Sequence, residues 1–125
     1  MGVYTCVPRF ELWPPLPPLL DGATAKYGNW IGCAGGDAVS PELEQRLARQ
    51  FPPGSPESVL VASLAEQHFA TPSPCRNDSS VRFSYYLGPK GSKPGRGPVD
   101  ATVYWKVNDA SQIVWTHGYL HFIFL

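Results

Sequence analysis

Apolar positions recur about every four residues between Leu43 and Phe69 and at every second residue from Val81 onward, which predicts helices in the middle of the chain and strands at its C-terminal end. Leu43, Leu47 and Phe51 fall on one helical face, while Glu42, Glu44, Arg46 and Arg49 lie mainly elsewhere. The start is marked by Ser40-Pro41-Glu42. The hydroxyl can accept from free amides, proline occupies the first helical position, and the carboxylate faces the positive helix end. Pro52-Pro53-Gly54 stops the helix, and Ser55-Pro56-Glu57 repeats the starting punctuation. A second helix is therefore predicted from about residue 56 to 68, with Val59, Leu60, Leu64 and Phe69 toward the core.

After a polar, turn-rich spacer over 70–80, Val81, Phe83, Tyr85 and Leu87 alternate with Arg82, Ser84 and Tyr86. Val99, Ala101, Val103, Trp105 and Val107 then alternate with Asp100, Thr102, Tyr104 and Lys106. Both runs read as half-buried strands, and Asn108-Asp109-Ala110-Ser111 supplies turn chemistry before the chain returns at Ile113. The returning strand changes parity, since Ile113 and Trp115 are odd-numbered and Leu120, Phe122 and Phe124 even. One inserted residue would reconcile the two sets, and a bulge is expected at His117-Gly118, where glycine tolerates positive φ.

Residues 1–39 have neither period. Four prolines between Trp13 and Leu20 exclude helix and central strand and predict an extended polyproline arm. A Gly-rich stretch with Tyr27, Trp30 and Ile31 follows, and a short strand over 3–12 is compatible with the rest. The expected fold class is α+β: two short helices on a three- to four-stranded antiparallel sheet over 40–125, with an irregular Pro/Gly-rich arm over 1–39 packed on the body.

A chain of 125 residues fits one domain that needs no metal or disulfide staple to build a core. Ten basic residues balance ten acidic ones, which removes the overall positive field of a typical nucleic-acid binder. No apolar run approaches a membrane span. The start Met1-Gly2-Val3-Tyr4-Thr5-Cys6 lacks a basic region followed by an apolar one, as expected of a cytoplasmic chain; removal of an export signal would leave the same start on a periplasmic one.

Candidate chemistry is sparse. Cys6, Cys33 and Cys75 have no C-x-x-C spacing and read either as buried or idle thiols or as one bridge and one free thiol. A cysteine-dependent hydrolase would use Cys33 or Cys75 with a base from His68, His117 or His121, but no element of such a site is visible in the spacing. His117 and His121 are four apart on a strand, too far to share a metal ion unless the chain folds there. No cofactor motif and no metal-ligand spacing is found. Pro14-x-x-Pro17 and Pro15-x-x-Pro18 match the minimal ligand of aromatic-grooved modules, a pattern that proline-rich chain reaches readily by chance. Ile31-Gly32-Cys33-Ala34 looks like a lipoprotein cleavage box without the apolar stretch that should precede it.

Surface features remain. The loop 88–98 carries Lys90, Lys93 and Arg96 with no acid and reads first as a mobile hairpin loop; it could also meet an acidic protein surface, or nucleic acid with a steep salt dependence. Tyr86, Tyr104 and Lys106 are expected to project from the sheet face opposite the helices, residue types that interfaces favour. These six are the candidate partner-binding residues.

The order helix, helix, three antiparallel strands, with Pro53-Gly54-Ser55-Pro56 opening a helix that ends Leu64-Ala65-Glu66-Gln67-His68-Phe69, resembles small bacterial outer-membrane-assembly lipoproteins of the BamE-like group. It is also similar in build to β-lactamase-inhibitor-protein repeats and to toxin-immunity proteins. The resemblance implies a non-enzymatic protein that works by binding another protein, with an envelope-assembly role as one alternative. The expectation is thus a binding module of the inhibitor or immunity type, its partner a toxin or an enzyme, with no nucleic acid, no membrane span and homo-oligomerisation left open.

Overall fold

The computed structural model describes residues 15–26, 33, 38–88 and 99–122. Helix α1 (Pro41–Gln50) begins as its sequence prescribes: the Ser40 Oγ accepts from the Leu43 amide at 3.5 Å, and Glu42 and Glu44 lie in the first turn. Leu43 and Leu47 are completely buried and Phe51 follows them into the core. Helix α2 (Glu57–Glu66) departs from the repeat of that signal. Ser55 turns its hydroxyl back to the Pro52 carbonyl, 2.6 Å away, so Pro56 stands at the N-cap without a side-chain cap. The Glu57 amide is satisfied instead by the Ser111 carbonyl at 2.9 Å. Leu60 and Leu64 are buried as predicted, whereas Val59 is 51% exposed and Val61 takes the position against the core.

Four strands, β1 (Ser73–Pro74), β2 (Val81–Tyr85), β3 (Val99–Val107) and β4 (Ile113–Phe122), form an antiparallel meander in chain order. The fold is therefore α+β, with both helices on one face of the sheet. The short β1 falls inside the stretch read as a polar spacer. The inward set of β3 is the predicted one, with Val99, Ala101, Val103, Trp105 and Val107 all in the core.

The parity of β2 is the reverse of the prediction. Arg82 pairs with Trp105 and Ser84 with Val103, so Arg82, Ser84 and Tyr86 face the helices while Val81, Phe83 and Tyr85 lie on the far side with Tyr104. Polar groups are tolerated inside because each is satisfied: Ser84 Oγ donates to the Ala70 carbonyl and Arg82 meets Glu57.

The irregularity in β4 is real but sits elsewhere. The register slips between Lys106 and Val107, which pair with Trp115 and Ile113 and leave Val114 as the extra residue. Trp115 is thereby turned to the far side, beside His117 at 4.8 Å between rings. Gly118 serves a different purpose from the one expected. A Cβ there would overlap Leu43 Cγ and come within 3.1 Å of Leu47 Cδ1, so glycine admits α1 onto the sheet.

The described part of the proline-rich arm is not extended throughout. Leu20 and Asp21 amides both bond to the Pro17 carbonyl at 2.9 Å, and the resulting turn drives Leu19 and Leu20 to full burial. Gln67 Oε1 accepts from the Leu19 amide at 2.8 Å, and Arg46 donates to the Leu19 carbonyl at 3.0 Å. Trp13, Pro14 and the strand expected over 3–12 lie outside the described residues.

Candidate functional site

The most concentrated polar chemistry on the helix side is built from three residues distant in sequence. Trp105 is wholly buried, and a buried indole N–H requires an acceptor. Glu57, the first residue of α2, supplies it: Glu57 Oε2 accepts from Trp105 Nε1 at 2.8 Å, and both carboxylate oxygens lie 2.6 Å from Arg82 Nη1. Arg82 Nε donates to the Ser79 carbonyl at 3.1 Å, which fixes the guanidinium plane from a second direction. The Glu57 and Arg82 side chains keep 17% and 32% of their surface, so the pair sits at the boundary between core and solvent.

Two open grooves meet there. One, about 360 Å³, is lined by Glu57, Val61, Pro72, Pro74 and Arg82. The other, about 500 Å³, runs past Glu57, Val61, Ser58 and the β3–β4 turn at Ser111 and Gln112. Glu57 and Val61 form the wall between them. The outward side of α2 continues this surface with Ser58, Val59, Ala62 and Ala65 exposed and no charged residue between Glu57 and Glu66.

Of the six residues predicted to bind a partner, three are described, and Tyr86, Tyr104 and Lys106 do not share one exposed face. Tyr86 is on the helix side, packed on Phe69 at 5.6 Å between rings, and burial raises its phenol pKa. Tyr104 does lie on the opposite face, but it is only 4% exposed and is flanked by Phe83 and Tyr119 at 5.7 and 5.5 Å. Lys106 is half-buried on that face, with Asp78 at 4.0 Å. Lys90, Lys93 and Arg96 lie outside the described residues. Tyr119, between the β4 histidines, has its pKa raised by burial and then by the Glu44 charge.

Cys33 and Cys75 form a disulfide with Cα atoms 6.0 Å apart, which corrects the reading of either as a free nucleophile. His117 stands 3.3 Å from Glu44 and His121 3.6 Å from Asp100. Among the described residues no three His, Cys, Asp or Glu side chains converge on a point that could hold a metal ion.

Glu57 and Arg82 were legible in the sequence only as a helix-start charge and an outward strand position. The available signal was Trp105, whose place in the most apolar strand demands an acceptor without naming it.

The fold and site together define a helix-on-sheet α+β domain with a charged pair set between two surface grooves. No family model, curated protein or solved structure matches the chain.

Proposed function

We propose that this protein is a binding module, of the inhibitor or immunity type, that occupies the functional surface of another protein through α2 and the grooves beside it. The observation that carries the reading is the composition of the outward side of α2. A solvated helix ordinarily carries charge there, whereas this one presents Val59 at 51% exposure among small residues. Strand addition is a poorer mode of recognition for this sheet. The outer edge of β4 is occupied at Ile113, Gly118, Leu120 and Phe122 by bonds to Ser55, Ser40, Ala38 and Lys26, and β1 is only two residues long. The Cys33–Cys75 bridge suits an oxidising compartment, where many inhibitors act.

The test is affinity capture from the native source with the wild-type chain and Val59→Lys, run without reductant. Val59 is exposed, so the substitution leaves the thermal midpoint unchanged. A stoichiometric protein partner retained by the wild type and lost by the variant is the expected result. A wild-type chain that stays partner-free, or a partner held equally by both, overturns the reading.

A further inference from the structure

We infer that the groove between Arg82 and the Pro72–Pro74 edge is the recognition pocket for an acidic side chain flanked by apolar residues in an extended segment of the partner. This deepens the binding-module reading and rests on it.

The donor inventory of Arg82 is the starting point. Its Nη1 is committed to Glu57 and its Nε to the Ser79 carbonyl, while Nη2 donates to no group among the described residues. A guanidinium pinned at two of its three nitrogens has already lost most of its side-chain freedom, so a ligand that takes the third meets little further ordering cost. Arg82 lines an open surface groove of about 360 Å³, which suits a side chain laid across it.

The charge of Glu57 does not close the pocket to an anion. Its carboxylate also accepts from Trp105 Nε1 and stands at the N-terminal end of α2, where the aligned peptide dipoles favour negative charge. Glu57 is thus stabilised from three directions, and Arg82 can bridge it to a second carboxylate. The remaining walls, Val61, Pro72 and Pro74, are uncharged and apolar, which suits aliphatic neighbours of the acid. A cationic ligand is disfavoured because the Arg82 guanidinium, of like charge, lines the same groove.

The test uses amide and Arg Nε NMR titration of the full chain with N-acetyl-Leu-Asp-Leu-amide, and with its Asn and Lys counterparts. Saturable shifts at Val61, Ser73 and Arg82 are expected with the Asp peptide, weakened about tenfold or more with the Asn peptide because a charge-assisted bond is lost. Arg82→Lys is expected to weaken the Asp peptide to a similar degree. Should that variant unfold, Pro74→Glu provides the second reading: Pro74 is exposed on the groove wall, so the change sets a charge of the ligand's own sign there without touching the core and should abolish binding. Equal binding of the three peptides, preference for the Lys peptide, or shifts confined to other surfaces overturns the inference. If the protein partner captured in the preceding experiment still binds Arg82→Lys at wild-type strength, the pocket falls while the binding module stands.

Discussion

His68 adopts φ 69°, a left-handed conformation that helix ends usually assign to glycine. Its amide bonds to the Ala65 carbonyl and the Phe69 amide to the Leu64 carbonyl, the paired bonds of a Schellman closure, with Leu64 and Phe69 both buried beside it. A local closure thus carries the chain from α2 into the core without glycine. Asp78 shows the same economy of short range. Ser80 donates to its carboxylate from the hydroxyl at 2.6 Å and from the backbone at 3.0 Å, and these bonds, the hydroxyl first, hold the Asp78 pKa below its ordinary 3.8. A carboxyl depressed in the folded state contributes stability that is complete above pH 3.8 and is lost as pH falls through the folded value. Ser80→Ala should raise the Asp78 pKa toward 3.8 and shift the onset of acid unfolding to higher pH, read by carboxyl NMR titration and by the acid unfolding curve.

At the scale of elements, the contact between α1 and β4 is the one most sensitive to a single atom. Gly118 lies under Leu43 and Leu47, and Glu44 accepts from the Gly118 amide at 2.7 Å, so the helix is pressed onto the strand and bonded to it. Gly118→Ala should cost about 1–3 kcal/mol, the usual penalty for overfilling a close-packed contact, and chemical denaturation should show a lower midpoint with an unchanged slope. The helices were legible from caps and period because both act within a few residues. The bulge was legible as a need, since two apolar sets of opposite parity cannot share a face, but its place was not. Glycine drew the prediction to residue 118, whereas Val114 absorbs the slip. The close approach of α1 explains the glycine, and that approach is a tertiary fact.

For the whole molecule, the disulfide joins parts of the chain that sit far apart on the sheet. Lys26 and Ala38 are bonded to β4, while Cys33, between them in sequence, is bonded to Cys75, which continues β1 and bonds to Val81 of β2; β1 and β4 are three strand spacings, or about 14 Å, apart in the sheet. The bridged residues are 42 apart, for which loop-closure entropy in the unfolded chain corresponds to about 4 kcal/mol. Cys33→Ser should therefore lower stability by about 2–4 kcal/mol, and reduction of the wild type should reproduce the loss in a thermal scan. An unchanged midpoint on reduction would show that the bridge does not restrain the folded chain.

Sequence alone determined the α+β class, the positions of both helices and the inward face of β3, because caps, breakers and hydrophobic period are properties of neighbouring residues. Tertiary structure decided the face of β2, the burial of Tyr104, the pairing of Cys33 with Cys75 and the site at Glu57. Arg82 lies 25 residues and Trp105 48 residues from Glu57, and no local pattern encodes a contact at that separation. Alternation in β2 allowed either face to turn inward. A carboxylate on α2 that could satisfy both a guanidinium and an indole selected the polar one.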